Sequence, residues 1–382
     1  MTVVISGSGA ITGSDRAASG ANADITSVTA LTTIGGSSLA GNRNRIINGS
    51  MVIDQRNSGT AITPTTAVYT VDRWLFGPSV GSKLSLQQVT DAPAGFKYSL
   101  KATVASQYSP SSSDYFQLLQ RIEGLNVIDF AFGTSGALTI TLSAQVKSSV
   151  TGTYSVALRN SSFARSYIGT YTIAVANTWT PISITIIGDT TGTWLTDIST
   201  GIDVSFDLGS GTTFNATAGS WQAGNLLRTS GSVTFVNQTA GATWQLAAVQ
   251  VEPGTIATAF ERRFIQDELV LCQRYFNTSY QSQVPGTSSA SVGRVVTLSA
   301  STSAYAYFLI TFPVILRNQP TVVWYNPATG GTGNPIRDET VGTDFGTFAL
   351  GTYSQNLIAI QAATAPGASH VMSVHYTASA EL

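Results

Sequence analysis

The stretch GIDVSFDLGSG, residues 201–211, alternates apolar and polar side chains along most of its length. In an extended chain every second side chain shares a face, which separates an apolar set (Val204, Phe206 and Leu208) from a polar set (Asp203, Ser205 and Asp207). An antiparallel strand with one face on a core and the other in water has this pattern. Asp203 and Asp207 lie about 13 Å apart on such a strand. That separation exceeds the spacing of a glycosidase pair, so we expect the two aspartates to form a solvated face.

Segments of the same kind recur on both sides of this stretch. Between residues 45 and 262 they include ALTITLSAQVKS (137–148), WTPISITIIG (179–188) and TWQLAAVQVE (243–252), with Gly, Asn, Asp and Ser between them. Many short strands with turn residues and no alternating helices predict an all-β, antiparallel jelly-roll sandwich. Strand-like segments resume at 293–382 and predict a second, smaller C-terminal β-sandwich.

One segment between the two groups of strands has a helical pattern. Its apolar positions recur at steps of four, three and four residues: Ile265, Leu269, Cys272 and Phe276. Asp267 and Glu268 fall in the first turn and Arg274 in the last, as the helix dipole favours. We predict a connecting helix and linker at 263–292 whose apolar stripe packs on one or both sandwiches.

The N-terminal segment, residues 1–44, is rich in small polar residues and has no aromatic residue. Alone it cannot bury enough apolar surface to fold. Apolar residues nevertheless recur every three positions at Ile25, Val28, Leu31 and Ile34. Two interpretations stay open: an unstructured leader, or a thin stalk that folds when several copies wind together.

Composition narrows the classes of function. The chain has 382 residues with 43% hydrophobic content, 10% charged residues and a net charge of −1. No basic run offers a phosphate-binding surface, which argues against a nucleic-acid partner. The apolar stretch 304–316 is shorter than the roughly 20 residues of a bilayer span, so we expect no membrane insertion. With one cysteine, no secretory signal and no intrachain disulfide, we expect assembly in a cytoplasm.

Residues that could carry catalysis are few. His370 and His375 are separated by an odd number of positions on a predicted strand, which puts them on opposite faces and disfavours a shared metal ion. Cys272 falls on the helical stripe, as a buried structural thiol does. No hydrolase, zinc or phosphate-loop motif occurs. We expect no enzyme activity and no cofactor, although convergence of carboxylates from separate loops stays open.

Aromatic residues give the candidate ligand site. Trp74 and Trp244 lie in hydrophobic strands and are predicted to belong to the core. Two tryptophans in loops of small residues and two tyrosines near a serine-rich loop are candidates to stack on sugar rings: Trp194, Trp221, Tyr108 and Tyr115. A packing role for the two loop tryptophans is the alternative.

Several blocks of sequence are specific enough to compare with a known protein family. They are NRIINGSMVIDQRNSG (44–59), YTVDRWLF (69–76), TWQLAAVQVEPGTIATAFERRFIQDELVLCQRYF (243–276), FPVILRNQPTVVWYNPATG (312–330) and VHYTASAEL (374–382). Together they resemble a family of tailed-phage and prophage tail-fibre, receptor-binding proteins with a jelly roll similar to carbohydrate-binding modules. The leader ASGANADITSVTALTTI (18–34) is similar to those of phage tail fibres. Ala259 stands where the family often has proline, which affects local stiffness only.

The resemblance implies a homotrimeric virion fibre. Residues 1–44 would attach it to tail or capsid proteins, and the jelly roll (45–262), the C-terminal domain or both would bind host cell-surface polysaccharide. The chain would be found in the virion after assembly in the host cytoplasm. Similar jelly rolls often hold a calcium ion, for which the sequence assigns no ligands, and the resemblance supplies no catalytic residue.

Two alternatives accompany this interpretation. The first is a structural head fibre or capsid decoration protein without a glycan site. The second is a polysaccharide-degrading tailspike, for which clustered carboxylates or a long parallel β-helix would be expected.

Overall fold

The computed structural model describes residues 42–299, 306–346, 348–362 and 369–382, and the backbone of the residue pairs 33–34 and 37–38. Side chains of 349 and 350 are not described. The predicted leader or stalk at 1–44 therefore lies almost wholly outside the described residues. Within them, the first pair of strands is a two-residue antiparallel bridge between Thr33–Ile34 and Ser37–Ser38.

The described residues form strands almost throughout, with a single α-helix among them. In chain order the elements are β1 (Thr33–Ile34), β2 (Ser37–Ser38), β3 (Val68–Tyr69), β4 (Leu75–Pro78), β5 (Leu84–Val89), β6 (Ser99–Val104), β7 (Phe116–Glu123), β8 (Ile140–Ser148), β9 (Gly152–Arg159), β10 (Arg165–Ile173), β11 (Thr180–Ile186), β12 (Thr200–Asp207), β13 (Trp221–Ala223), β14 (Thr243–Pro253), α1 (Ile265–Gln273), β15 (Phe276–Thr278), β16 (Val295–Leu298), β17 (Ala306–Thr311), β18 (Thr321–Tyr325), β19 (Ile336–Asp338), β20 (Thr343–Phe345), β21 (Phe348–Tyr353), β22 (Leu357–Ala362) and β23 (Val371–Ser379).

The first sandwich has two antiparallel sheets. One has seven strands in the order β13-β10-β9-β12-β7-β4-β3, and the other has five in the order β11-β8-β14-β6-β5. The chain passes repeatedly from one sheet to the other, as between β7 and β8 and between β11 and β12. This is the two-sheet, antiparallel arrangement of a jelly-roll sandwich, and the all-β prediction is confirmed.

Alternating side chains from the two sheets fill the space between them. Trp74 and Trp244 are fully buried and lie 6.3 and 5.9 Å from the ring centroid of Phe206. The prediction that both tryptophans belong to the core is confirmed. Truncating a buried aromatic side chain of this kind costs about 3–5 kcal/mol, so these rings are a main source of stability.

The second sandwich is smaller. Its larger sheet follows the order β15-β23-β19-β20, and β16 and β18 also pair with β23. Its smaller sheet has the order β17-β22-β21. The buried cores of the two sandwiches share no residue: the first draws on residues 46–251 and the second on residues 306–380. The boundaries given above for the domains stay predictions.

The helix α1 begins and ends close to where the sequence predicts, but its apolar stripe is only partly right. Ile265 is 55% exposed, and Phe276 lies beyond the helix in β15. The buried residues of the helix are Glu268 and Cys272. Glu268 tolerates burial because it accepts the Asn48 backbone N–H and pairs with Arg263. The prediction of a buried Cys272 is confirmed.

Cys272 and the residue after the helix, Tyr275, pack on Ile47 and Ile53 near the start of the first sandwich. Arg274 follows the helix and pairs with Glu123, with Nε 2.8 Å from Oε1. In the described part of the chain no helix has the length and apolar character needed to cross a membrane.

The two sandwiches are joined by a group of side chains that we call the Glu381 clasp: Glu381, Arg73, Arg56 and Tyr275. The Glu381 carboxylate pairs with Arg73 and Arg56, the latter with Nη2 2.7 Å from Oε1. The Arg73 guanidinium is 1% exposed and lies 3.5 Å from the centroid of the Tyr275 ring. A buried charge needs such a partner, so the clasp ties the residues that follow β23 in the second sandwich to the first sandwich.

The prediction that Asp203 and Asp207 form a solvated face is wrong. Both are buried, because the segment 214–227 covers the outer face of the seven-stranded sheet and packs Phe214 and Leu227 on it. Asp203 accepts a hydrogen bond from Arg159 Nη2 at 2.8 Å. The carboxylate of Asp207 lies 3.6 Å from Arg228, and burial raises the pKa of Asp207.

The two histidines occupy different surroundings. His370 immediately precedes β23, with Nδ1 2.7 Å from Asp338 Oδ2. His375 is buried inside β23, stacked on Tyr280 at 4.1 Å, and desolvation lowers its pKa. They do not meet, and among the described residues no group of three or more His, Cys, Asp or Glu side chains is placed to hold a metal ion.

Candidate functional site

A groove runs over the outer face of the five-stranded sheet of the first sandwich. Its volume is about 640 Å³, within the range of about 300–1,000 Å³ typical of ligand sites. The floor comes from β8, β11 and β14. One wall comes from the loop between β5 and β6 and from residues 257–262, which follow β14. We call this feature the sheet groove.

The floor of the sheet groove follows from strand alternation. In β8, Leu142 and Ala144 point into the core, so Ser143 and Gln145 point outward. Ser183 of β11 stands directly opposite Ser143. The Cβ atoms of such cross-strand partners lie about 5 Å apart, and Gln145 is one step further along the same face.

These three floor side chains have unused hydrogen-bonding groups. Within the described part of the chain, the side chains of Ser143, Gln145 and Ser183 make no hydrogen bond, and all three are at least partly exposed. Together they offer two hydroxyls and one amide, groups that both donate and accept. The floor can therefore bind a ligand that carries several hydroxyl groups.

A β-bulge in β14 shapes the neighbouring part of the floor. The register with β8 shifts between Ala247 and Gln250, and Ala248 has φ of 53°. The Val249 backbone N–H and carbonyl are diverted to the N-terminal part of the sandwich, where the N–H donates to Gly49 O at 3.0 Å. A Cβ atom on Gly49 would lie 2.2 Å from Val249 O, so this approach requires glycine. Ala248 lines the groove at this bulge and adds only a methyl group to the floor.

The wall of the sheet groove is aromatic and cationic. The rings of Phe96 and Phe260 meet edge to face, with centroids 5.2 Å apart, and both are partly exposed. The Arg262 guanidinium lies 4.4 Å from the Phe96 centroid and donates through Nη2 to Gly95 O at 2.8 Å. This wall therefore presents apolar ring surface beside the hydroxyl-binding floor.

Beyond Gln145 the same sheet face carries groups that satisfy one another. Lys147 pairs with Asp91, and its Nζ lies 5.1 Å from the centroid of the half-buried Trp179 ring. Gln245 Nε2 also donates to Asp91, at 3.0 Å. The hydrogen bond from Lys147 lowers the pKa of Asp91. Asp91 is thus an ion-paired carboxylate and unsuited to act as a general acid.

The structure brings together two of the four residues predicted to bind a sugar, away from the sheet groove. The rings of Trp194 and Trp221 lie 5.2 Å apart at 83°, and both pack on Phe132. Their indole N–H groups donate to the carbonyls of Thr191 and Ile187, at 3.0 and 2.6 Å. Both rings are half-buried against the core. This geometry favours the packing role, and the ligand role stays an untested prediction.

The two tyrosines lie at another place. Tyr108 donates its hydroxyl to Asp114 Oδ2 at 2.8 Å, and its ring lies 5.8 Å from Phe116. Tyr115 meets Phe214 edge to face at 5.9 Å. Neither tyrosine lines the sheet groove. Their predicted role in glycan binding is also untested.

The sequence reasoning missed the residues of the sheet groove. They come from distant parts of the chain: Phe96, Ser143, Gln145, Ser183, Phe260 and Arg262. Two signals were present. Outward polar positions follow from the alternation in β8 and β11, and Phe260 and Arg262 belong to the block 243–276, from which only a family resemblance was drawn.

Comparison with known proteins gives weak matches. No protein-family model matches the chain, and no curated protein is significantly similar to it in sequence. Solved structures that are similar include the enzymatically active domain of tailspike protein 4 of bacteriophage CBA120, at 12% identity and a TM-score of 0.29. The match covers 55% of this chain and 21% of the tailspike, so the chain spans about a fifth of that protein.

Two carbohydrate-binding modules are similar at the same level. The family 11 module from Clostridium thermocellum, in complex with a β-1,3-1,4-mixed-linked tetrasaccharide, has 10% identity over 52% of this chain and 99% of the module, with a TM-score of 0.27. The CBM22-1 xylan-binding domain of Paenibacillus barcinonensis Xyn10C has 10% identity over 52% of this chain and 97% of the domain, with a TM-score of 0.25. These values are too low to assign a function to this chain.

Proposed function

We propose that this chain binds a glycan in the sheet groove. The observation that carries the proposal is the floor. Its polar side chains Ser143, Gln145 and Ser183 have no hydrogen-bond partner in the described part of the chain, and they lie beside the partly exposed rings of Phe96 and Phe260. Saccharides combine hydroxyl groups with apolar ring faces, and this floor and wall match both features. The floor would hydrogen-bond the hydroxyls, and the phenyl rings would contact the sugar face.

The proposal is one of binding without hydrolysis. Glycosidases need a pair of carboxyl groups about 5–9.5 Å apart at the scissile bond. The described residues that line the sheet groove include no aspartate or glutamate. The nearest acid on the same sheet face, Asp91, is ion-paired with Lys147. We therefore propose a binding protein and not an enzyme.

The biological setting that we propose is a virion fibre. The blocks at 44–59, 69–76 and 243–276 that resemble tail-fibre proteins support this setting. In it, residues 1–44 attach the chain to tail or capsid proteins, and three copies form a homotrimer on the particle. Weak binding at each groove is then multiplied by avidity on a polysaccharide surface. A head fibre without a glycan site is the second candidate.

Binding of the purified full-length protein to a panel of bacterial surface polysaccharides tests the proposal. The panel includes neutral and uronate-containing polymers, and the length of each polymer is followed by size-exclusion chromatography. We expect saturable binding with unchanged polymer length. Gln145→Ala should weaken it about two- to tenfold, because a net hydrogen bond contributes about 0.5–1.5 kcal/mol.

Gln319→Ala is the matched control, because Gln319 is exposed on the second sandwich and lies far along the chain from the groove. It should bind as the unmodified protein does. Equal binding by Gln145→Ala and Gln319→Ala would refute the sheet groove as the site. A folded oligomer that binds no polymer would favour the structural fibre, and a shortened polymer would favour the tailspike. Light scattering at micromolar concentration tests the trimer, which a monomer mass would contradict.

A further inference from the structure

One cation at the sheet groove differs from the other arginines of the described chain. Apart from Arg262 and Arg317, every described arginine has a carboxylate partner. Arg317 directs its three nitrogens to the carbonyls of Ala380, Ile198 and Glu381. Among the described arginines, only Arg262 combines a missing acid partner with guanidinium nitrogens that make no hydrogen bond, so its environment needs a separate explanation.

The unused donors of Arg262 face open space at the groove. Its Nη2 donates to Gly95 O, and its guanidinium packs over Phe96. Among the described residues, Nε and Nη1 have no hydrogen-bond partner, and the side chain is exposed. Arg262 borders both the sheet groove and an adjoining depression of about 240 Å³. The protein thus holds the guanidinium through Nη2 and the Phe96 ring, while Nε and Nη1 stay available to a ligand.

The charge around Arg262 is positive. Lys97 lines the adjoining depression and has no carboxylate partner among the described residues; its Nζ lies 5.0 Å from the Tyr98 ring centroid. Arg263 and Glu268, also at the depression, pair with each other. Among the described residues, therefore, no acid forms an ion pair with Arg262 or Lys97. An arginine held in place with unused N–H donors binds oxyanions better than a mobile lysine does.

We infer that the glycan bound in the sheet groove carries an oxyanion that pairs with Arg262, and that this oxyanion is the carboxylate of an acidic sugar. The inference rests on the proposed glycan-binding function. The sugar rings lie over Ser143 and Gln145, and the carboxylate accepts hydrogen bonds from the unused N–H groups of Arg262. Lys97 adds attraction at longer range. A sulfate ester offers the same oxyanion chemistry, and the experiment separates the two.

The experiment uses the full-length protein and the polysaccharide panel of the previous test. Each uronate-containing polymer that binds is also converted to its carboxyl-reduced, neutral form, and dextran sulfate is compared with dextran. We expect binding to uronate polymers and a loss of tenfold or more on carboxyl reduction. Binding should also weaken as salt rises from low to physiological ionic strength.

Arg262→Gln is the central variant, because it removes the charge and keeps a polar side chain at this position. It should weaken binding to the uronate polymer about 10- to 100-fold, since hydrogen bonds to charged groups contribute about 1.5–3 kcal/mol, and leave binding to the reduced polymer unchanged. Arg262→Lys should retain part of the affinity. Lys83→Gln is the control, because Lys83 also lacks an acid partner among the described residues but lies by Tyr108.

The outcomes are distinct. Equal binding of neutral and acidic polymers, with Arg262→Gln unchanged, overturns the inference while the glycan-binding proposal stands. Binding to dextran sulfate but to no uronate polymer, lost in Arg262→Gln, replaces the carboxylate by a sulfate. Binding to no polymer at all overturns both the proposed function and the inference.

Discussion

Replacing Glu381 with glutamine removes the negative charge that Arg73 and Arg56 share in the Glu381 clasp. Arg73 is buried beneath Tyr275 and keeps one other acceptor, the Arg121 carbonyl at 2.6 Å from Nη2. Glutamine has nearly the same shape as glutamate, so the packing around position 381 is retained. The substitution therefore isolates the charge.

The expected loss in free energy of unfolding follows from the burial of the Arg73–Glu381 ion pair. The side chains of Arg73 and Glu381 are 1% and 7% exposed, so water cannot solvate a guanidinium that has lost its partner. Breaking a buried ion pair on one side costs about 3–5 kcal/mol. Glu339→Gln is the matched control in the same sandwich, because the side chains of Glu339 and Arg294 are 25% and 31% exposed. Loss of this exposed ion pair should lower the free energy of unfolding by about 1 kcal/mol or less.

Urea unfolding followed by tryptophan fluorescence measures the free energy of unfolding by linear extrapolation. The double variant Arg73→Met with Glu381→Gln should lose less than the sum of the single variants, because it leaves no buried charge unpaired. If Glu381→Gln costs no more than Glu339→Gln, the clasp behaves as a surface ion pair and the reasoning is wrong. Strict additivity in the double variant would also contradict it.

Three further predictions concern other parts of the first sandwich. Burial raises the pKa of Asp72 from 3.8 to about 7, so the folded chain holds a proton that the unfolded chain releases. The free energy of unfolding should therefore fall by about 1.4 kcal/mol per pH unit between pH 4 and 7. Urea titrations at several pH values measure this slope, and Asp72→Asn should remove it. Gly49→Ala places a Cβ against Val249 O and should cost about 1–3 kcal/mol, measured as a lower Tm than that of Gly231→Ala, whose Cβ meets nothing and whose φ, like that of Gly49, is not positive. Trp194→Ala should destabilise the fold by about 2 kcal/mol or more and leave polysaccharide binding per folded molecule unchanged; lost binding with intact stability would restore the predicted ligand role.

Local sequence patterns were sufficient for the strands and the helix. The alternation of Val204, Phe206 and Leu208 identifies one buried face of β12, because only one sheet face can pack on the other sheet. The pattern does not say what covers the opposite face. Asp203 and Asp207 were therefore misplaced, since the segment that covers them comes later in the chain and brings Arg228 with it.

The helix shows the same limit. Steps of three and four residues located α1, but the pattern wrongly placed Ile265 on the packed stripe and left the buried Glu268 outside it. The burial of Glu268 depends on Arg263 and on the Asn48 backbone N–H, which lies 220 residues away along the chain. The sheet groove was missed for a related reason. Its floor and wall form only when β8, β11 and the β5–β6 loop come together in the folded chain, and a local sequence pattern does not predict which distant segments become neighbours.

The Glu381 clasp also constrains the order in which the molecule is built during synthesis. Arg73 leaves the ribosome 308 residues ahead of Glu381. At about 5–20 residues per second, the interval is roughly 15–60 s, long enough for the strands of the first sandwich to assemble. Throughout it, the Arg73 guanidinium has a carbonyl acceptor but no counter-charge. The first sandwich therefore reaches its full stability only when Glu381, which follows β23, is in place, and the second sandwich completes the folding of the first.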